Sequence, residues 1–160
     1  DDELLRISKE SFDALSFNCY ALSPDHEKMN HALEISGLPM IIGEYHFGTV
    51  DRGLAQSLWQ VNSQKERGDA FRYYTENAFA HRGLIGTGWF RWIDQNINGR
   101  TDGENYNCGF IDVTDRPYPY MVDAAIKTAK SLYEIHSGTK TPFHQAPNAV
   151  GHSPIPDLWE

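Results

Sequence analysis

The sequence is poor in the features that build several classes of protein. Its 160 residues include only two cysteines, Cys19 and Cys108, which are too few for a disulfide-built scaffold and have no metal-ligand spacing. They could be free thiols or one bridge. No apolar run approaches the roughly 20 residues that a membrane-spanning helix needs. Because 14 basic residues stand against 22 acidic ones, the net charge of −8 argues against binding to a nucleic-acid backbone.

The sequence does contain enough apolar material for a packed core, since 40% of the residues are hydrophobic and 12% are aromatic. Three short apolar runs, at residues 13–20, 39–47 and 84–93, are each followed by a helical pattern. The middle run is continuous at its start, which is typical of a parallel strand buried on both faces. The order predicts an α/β protein with the elements β-α-β-α-β-α and right-handed crossovers.

Local signals bound the first two predicted helices. The first has a hydroxyl cap at Ser23, Pro24 at its first position and a stop at Gly37. The second begins at a capping box, Ser63 to Glu66, and ends at Gly83. The residues expected to face the core are Met29, Ala32, Leu33 and Ser36 in the first helix, and Ala70, Phe71, Tyr74 and Ala78 in the second.

The third helix is predicted over residues 119–137 and is closed by Gly138. Its spacing predicts an inward face made of Val122, Ala125, Ile126, Ala129, Leu132 and Tyr133. Residues 139–160 hold four of the eight prolines, at positions 142, 147, 154 and 156, and are expected to be extended and irregular.

Three β/α units are compatible with part of a doubly wound sheet or with an arc of a (β/α)8 barrel. A complete barrel needs about 250 residues, so this chain cannot close one alone. The first residue is Asp1 rather than methionine, and no charged and apolar leader follows it. We therefore expect the chain to be a piece of a longer protein.

Reactive groups in α/β folds gather at the carboxyl ends of the strands. The residues at these ends are Asn18, Tyr20, Glu44, His46, Trp89, Trp92, Asp94 and Gln95. A carboxylate at the exit of an apolar strand, surrounded by aromatic rings, is typical of glycosidic bond cleavage, in which the rings stack on the C–H faces of a sugar.

Each of these residues also has a structural interpretation. A glutamate at a strand end, such as Glu44, is often solvated or salt-bridged. His46 is two residues from Glu44, which indicates only that both face the same side of a strand. Trp89 and Trp92 are three residues apart, so one of them is expected to pack in the core.

Several segments in this order resemble the β-agarases of glycoside hydrolase family 50, a family of the retaining (β/α)8 clan. The segment 43–53 (GEYHFGTVDRG) is similar to the seventh barrel strand, and 86–95 (GTGWFRWIDQ) with 102–115 (DGENYNCGFIDVTD) is similar to the eighth strand and its loop. Residues 15–20 (LSFNCY) resemble the sixth strand, and Pro117-Tyr-Pro119 resembles the start of the last helix. The match covers roughly residues 10 to 138.

The resemblance implies that Glu44 is the nucleophile, that Tyr20 hydrogen-bonds to its carboxylate, and that Trp89 forms the floor of the sugar subsite. It also implies that hydroxyl groups of the substrate are bound by Asn18, His46, Asp94 and Gln95. A retaining enzyme needs a second carboxyl as its acid/base. In the clan this residue lies in an Asn-Glu pair, which the sequence lacks, so the chain alone is expected to be inactive. Glu104 is a weaker candidate for that role.

The predicted division is therefore a partial catalytic barrel segment over residues 1–138, corresponding to strands six to eight, and a Pro-rich tail over 139–160. The implied partners are an oligo- or polysaccharide and either the remainder of the barrel or a second copy, with no nucleic acid, membrane, metal or cofactor. The implied location is extracellular or periplasmic, because polymer-degrading enzymes meet their substrate outside the cytoplasm.

Two alternatives follow from the same residues. The chain could be a half-barrel module that binds carbohydrate without cleaving it. It could also be a calcium-stabilised structural domain, because Asp94-x-Asn96-x-Asn98-Gly99-x-x-Asp102 matches the opening of an EF-hand loop. The twelfth position of that loop is Asn105, where a bidentate glutamate is required.

Overall fold

The computed structural model describes residues 1–152 as a small α/β domain. The elements in chain order are α1 (Asp2–Ser11), β1 (Leu15–Asn18), α2 (His26–Ser36), β2 (Met40–Tyr45), β3 (Trp59–Gln60), α3 (Gln64–Phe79), β4 (Leu84–Trp89), α4 (Pro119–His136) and β5 (Val150–Gly151). Within residues 1–152, none of the helices combines the length and apolar character needed to cross a membrane.

The three predicted strands are confirmed as one parallel sheet in the order β1-β2-β4. Its middle strand, β2, buries Met40, Ile42 and Tyr45 almost completely. These side chains face the helices, where they meet Met29 of α2 and Tyr74 of α3 in one hydrophobic cluster. The core therefore lies between the sheet and the helices that follow its strands, as in an open α/β layer.

The start of α2 differs from the prediction. The capping side chain is Asp25, which accepts hydrogen bonds from the backbone N–H groups of Glu27 and Lys28 at 2.9 and 3.2 Å, and not Ser23. A carboxylate carries a full charge toward the positive helix end, so it outcompetes a hydroxyl two residues earlier. The predicted end is confirmed, since Gly37 caps the helix with a φ of 68°. Met29, Ala32 and Ser36 are buried, and Leu33 is half-buried.

The inward face predicted for α3 is confirmed, since Ala70, Phe71, Tyr74 and Ala78 are all buried. The predicted cap is confirmed as well, because the Ser63 hydroxyl accepts from the backbone N–H of Glu66 at 3.2 Å. The predicted end at Gly83 is wrong. The helix ends at Phe79, and the next residues form a turn that leads into β4.

The inward face predicted for α4 is largely wrong, because only Ala125 and Leu132 of its six residues are half-buried and the other four are exposed. The buried residues are Met121, Ala124, Thr128, Ser131 and Ile135, whereas Val122, Ile126 and Tyr133 are exposed. Small residues on the inner face let α4 approach α3 closely, and a Cβ added at Gly68 would lie 2.6 Å from the carbonyl oxygen of Tyr120. Close helix contact, rather than apolar character alone, selects the face that is buried.

Two terminal elements are absent from the predicted order. The helix α1 is capped by Asp1 and packs on α2. In the tail, β5 pairs antiparallel with β3, with Gly151 opposite Trp59. The extended, irregular tail is otherwise confirmed over residues 139–149, and Pro154 and Pro156 lie outside the described residues.

Candidate active site

Glu44 lies at an irregularity in the sheet. Phe17 of β1 is paired with Ile42 of β2, but the next residue, Asn18, is paired with Glu44, so Gly43 is an extra residue in β2. Such a bulge changes the direction of the side chains beside it. Both neighbouring strands need glycine here, because a Cβ at Gly43 would lie 2.9 Å from the Asn18 Oδ1 atom and one at Gly88 would collide with the Gly43 carbonyl.

The Glu44 carboxylate accepts a hydrogen bond from Tyr20, with 2.9 Å between Oη and Oε2, and both side chains are half-buried. Burial raises the pKa of the Tyr20 hydroxyl, and its bond to Glu44 raises the pKa further. Tyr20 therefore stays protonated near neutral pH and can act as a donor to Glu44. Its backbone is held as well, since the indole Nε1 of Trp59 donates to the Tyr20 carbonyl at 2.7 Å.

His46 is almost completely buried and uses both ring nitrogens within the protein. The backbone N–H of Leu58 donates to Nε2 at 3.1 Å, so Nδ1 carries the proton and donates to the Phe90 carbonyl at 3.1 Å. Burial lowers the pKa of His46 to about 3, so the ring is neutral. These contacts favour a structural role over the predicted contact with a substrate hydroxyl.

Three aromatic rings surround His46 on the side of the sheet that carries Glu44. The ring centroids of Tyr20, Tyr106 and Phe90 lie 5.0, 5.7 and 5.9 Å from that of His46. Tyr20 follows β1, Phe90 follows β4, and Tyr106 belongs to the loop between β4 and α4. His46 thus joins the carboxyl ends of the strands to this loop.

Trp89 lies on the opposite side of the sheet. It is paired with Tyr45 across the strands, and its ring also packs on Phe71 and Phe110 in edge contacts of 5.2 to 5.9 Å. The indole Nε1 donates to the carbonyl of Cys108 at 2.7 Å. These contacts do not support the prediction that Trp89 forms the floor of the sugar subsite.

Phe90, which sequence reasoning missed, directly follows β4 and lies on the Glu44 side of the sheet. Successive strand residues face opposite sides of a sheet, but in a run of adjacent aromatic residues the sequence does not show which one faces the core. Only the pairing of Trp89 with Tyr45 decides it. Trp92, the other tryptophan at this strand end, is exposed and stacks on Phe110 with centroids 5.8 Å apart.

Asp94 is buried, and three donors satisfy its carboxylate. These are the Asn107 side-chain amide at 2.8 Å, the Tyr118 hydroxyl at 2.6 Å and the backbone N–H of Gly109 at 2.7 Å. Asp94 also faces the buried guanidinium of Arg67. A carboxylate used in this way anchors the loop, which disfavours both the predicted contact with substrate and its role as the first ligand of a calcium loop.

Gln95 is fully buried and lies between two residues of the same loop. Its Oε1 accepts from the backbone N–H of Tyr106 at 2.7 Å, and its Nε2 donates to Glu104 Oε2 at 2.7 Å. Gln95 therefore holds Glu104 and is not itself open to a ligand.

Asn18 is the one predicted hydroxyl-binding residue with an exposed side chain. It lines a cavity of about 520 Å³ between α1 and β1, together with Ser8, Leu15 and Phe17. At this edge of the sheet, Asn18 lies beside Glu44 in the strand pairing. The structure therefore brings together Asn18, Tyr20, Glu44 and Phe90, while Trp89, Asp94 and Gln95 support their surroundings.

The chain is similar to two curated proteins of known name. It is 40% identical over 128 residues to β-agarase A of Vibrio sp. (strain JT0107), a match that covers 76% of this chain and 13% of that protein. It is 38% identical over 138 residues to β-agarase B of the same strain, a match that covers 82% of this chain and 14% of that protein. The chain thus spans about one seventh of the length of these relatives. No protein-family model matches it.

Solved structures agree with this similarity. The crystal structure of an agarase, AgWH50C, is 37% identical with a TM-score of 0.80 and covers 85% of this chain and 21% of its own. The structure of PfGH50B is 40% identical with a TM-score of 0.78, and the match covers 82% of this chain and 19% of the PfGH50B chain. A GH2 β-galacturonidase from Eisenbergiella tayi, 17% identical with a TM-score of 0.54 over 74% of this chain and 24% of its own, shares the fold alone. On this combined similarity of sequence and structure, the chain belongs to the agarase-like glycoside hydrolases of family 50.

Proposed function

We propose that this chain supplies the nucleophile of a retaining glycoside hydrolase that acts on a β-galactosidic polysaccharide of the agar type. The observation that carries the proposal is the hydrogen bond from the Tyr20 hydroxyl to the Glu44 carboxylate, where β1 and β2 end. The names of the relatives, which are β-agarases, support this class of substrate.

In this proposal one Glu44 oxygen bonds to the anomeric carbon while the glycosidic C–O bond breaks, and water later releases the sugar. Tyr20 donates to the other oxygen and keeps the carboxylate aligned. Phe90 offers an aromatic face on the same side of the sheet, and Asn18 offers an amide for a hydroxyl group.

The leaving oxygen needs a proton from a second carboxyl about 5–5.5 Å from the nucleophile. The resemblance assigns that group to an Asn-Glu pair that the 160 residues do not contain. The proposal therefore includes further β/α units, with the present strands β1, β2 and β4 as strands six to eight of a (β/α)8 barrel. The greater length of the relatives supports this.

The same proposal keeps residues 1–138 as the barrel segment and 139–160 as its tail, and places the protein outside the cytoplasm, where polymeric agar is found. Two contacts support this division. The tail donates a backbone hydrogen bond to Glu76 of α3, and its strand β5 pairs with β3, so the tail packs on the surface of the barrel segment.

The test is the substitution Glu44→Gln in the enzyme that carries this segment within a whole barrel. We expect turnover of agar oligosaccharides to fall on the order of 10³-fold or more, because an amide forms no glycosyl-enzyme intermediate, while binding is largely retained. The matched control is Glu34→Gln, at an exposed site on α2, which should leave turnover unchanged. Substantial turnover by the Glu44 variant would refute the assignment.

A half-barrel module that only binds carbohydrate is the second candidate, favoured because the 160 residues contain no Asn-Glu pair to supply the acid/base. Titration of the enzyme that carries this segment within a whole barrel with agar oligosaccharides, combined with an assay for released sugar, distinguishes the two. Binding and no hydrolysis by the whole-barrel enzyme would favour the module.

A further inference from the structure

The loop between β4 and α4 folds back over the carboxyl ends of the strands. Isolated backbone pairings join Thr49 to Asn107 and Ala55 to Tyr106, both across the segment that follows β2. Two buried side chains hold the middle of the loop through its backbone. Arg67 donates to the carbonyl groups of Asn107 and Gly109, and Asp94 accepts from the N–H of Gly109. The loop is therefore held in a fixed position over the strand ends, on the side where Glu44 lies.

The orientation of the Gln95 side chain is unambiguous. The backbone N–H of Tyr106 can only donate, so the atom that faces it at 2.7 Å is the amide oxygen of Gln95. The amide nitrogen must then face Glu104, at 2.7 Å, and needs an acceptor there. A fully buried amide thus fixes one oxygen of a carboxylate that is itself partly open to solvent.

The second contact of Glu104 ends on the same oxygen. Arg100 lies 3.4 Å from Oε2, and the exposed fraction of the Glu104 side chain is 26%. Among residues 1–152, the contacts of Glu104 leave its Oε1 atom without a donor. A carboxylate that is positioned at one oxygen and open at the other is suited to accept a hydrogen bond from a ligand.

Ring contacts place Glu104 on the Glu44 side of the sheet. Its partner Arg100 lies over the Phe90 ring at 5.8 Å from the centroid, and Phe90 and Tyr20 both pack on His46. The charge of Glu104 also raises the pKa of Tyr20.

We propose that Glu104 binds the substrate by accepting hydrogen bonds from hydroxyl groups of the sugar beside Glu44, and that Gln95 is its positioning residue. This inference rests on the proposed function and names a determinant of its specificity. The open Oε1 atom has two lone pairs and cannot donate, so it recognises hydroxyl groups and discriminates against anionic or fully methylated sugars.

The test is calorimetric titration of the 160-residue chain with neutral agar oligosaccharides, using Glu104→Gln and Glu104→Asp. We expect Glu104→Gln to weaken binding roughly 10- to 100-fold, because hydrogen bonds to a charged group contribute more than neutral ones. Glu104→Asp keeps the charge and should retain part of the affinity. Gln95→Met should also weaken binding while Glu104 remains, as expected of a residue that acts through it.

The matched control is Asp102→Asn, which removes a carboxylate from the same loop with the same partner, Arg100, at 2.8 Å. It should bind like the unchanged chain, and thermal unfolding of each variant should remain cooperative. If the unchanged chain binds but Glu104→Gln binds equally well, or Asp102→Asn is equally impaired, the role of Glu104 is overturned and the proposed function stands. If the unchanged chain does not bind, the same titration is made with the enzyme that carries this segment within a whole barrel, where equal binding by Glu104→Gln overturns the role of Glu104 and leaves the proposed function standing.

Discussion

Two carboxylates of this chain show how the environment assigns different roles to the same chemical group. Asp94 is buried and accepts from three donors, so each of its oxygens is used within the protein. Glu44 is half-buried and accepts from Tyr20 at one oxygen. The first arrangement stabilises a loop, and the second leaves one oxygen of Glu44 free for the role that we propose.

The buried histidine predicts how stability depends on pH. The pKa of His46 is lowered from 6.5 to about 3, so between these values the unfolded chain binds a proton that the folded chain does not. The contribution of His46 to the free energy of unfolding is therefore fully present above pH 6.5. It decreases as the pH falls through this window, by up to about 1.4 kcal/mol per pH unit. Urea unfolding at a series of pH values measures the slope.

The control for this prediction is His144→Asn, at an exposed position of the tail, which should keep the slope of the unchanged chain. In His46→Asn the slope should be shallower, because an amide does not titrate there. His81, whose pKa burial also lowers, contributes equally to all three proteins. Equal slopes for His46→Asn and the unchanged chain would contradict the prediction.

At the scale of elements, the C-terminal segment is attached to α3 by a buried carboxylate. Glu76 accepts from the backbone N–H of Phe143 at 2.8 Å and from the Thr128 hydroxyl at 3.0 Å, and it pairs with Arg72 at 2.9 Å. Arg72 in turn lies over the Phe143 ring at 4.4 Å. This contact holds the start of the tail on α3. Further along the tail, β5 pairs with β3, whose Trp59 contacts Tyr20 of the candidate active site.

We expect Glu76→Gln to lower the free energy of unfolding by about 1–3 kcal/mol, because an amide cannot replace all of these charge-assisted bonds in a buried position. Urea unfolding measures the loss, and hydrogen exchange at Val150 to His152 should become faster. The control, Glu134→Gln on the exposed side of α4, should change stability by less than about 0.5 kcal/mol. An unchanged midpoint for Glu76→Gln would show that the tail is held elsewhere.

The buried face of α4 was predicted incorrectly because the helix offers two apolar faces. The helix carries apolar residues around much of its circumference, so two faces satisfy the helical spacing. Contact with α3 selects the face with Ala124, Thr128 and Ser131, whose small side chains allow close approach. Periodicity indicates that a helix exists, but not which of two apolar faces finds a partner.

The apolar face of α4 that points away from α3 is uncovered in the isolated chain. Val122, Ile126 and Tyr133 are 37%, 49% and 89% exposed, and the sheet ends at β1 on one edge and β4 on the other. Apolar surface and open strand edges of this kind favour association. We expect the isolated chain to self-associate with increasing concentration.

Sedimentation velocity over a concentration series tests this expectation. The double substitution Ile126→Lys and Tyr133→Lys should shift the chain toward a monomer by placing charge on the apolar face. Asp123→Lys, at an exposed polar position of the same helix, is the control and should associate like the unchanged chain. A monomeric unchanged chain at every concentration would contradict the expectation.

The class of fold, the chain order of the parallel strands and the placement of Glu44 and Tyr20 at strand ends could all be predicted from the amino-acid sequence. These features depend on local runs and caps, and on the rule that parallel strands end at one edge. The family resemblance was also present in the sequence, and similarity to the agarases confirmed it.

The sequence could not predict which polar groups form hydrogen bonds within the protein and which remain open to a ligand. His46, Asp94 and Gln95 are residues of types that often bind ligands. Their hydrogen-bond partners, however, belong to the protein itself and lie 9 to 44 positions away in the chain. The sides taken by Trp89 and Phe90 likewise followed from strand pairing. Hydrogen bonding and packing between distant segments depend on three-dimensional proximity, which spacing along a chain does not encode.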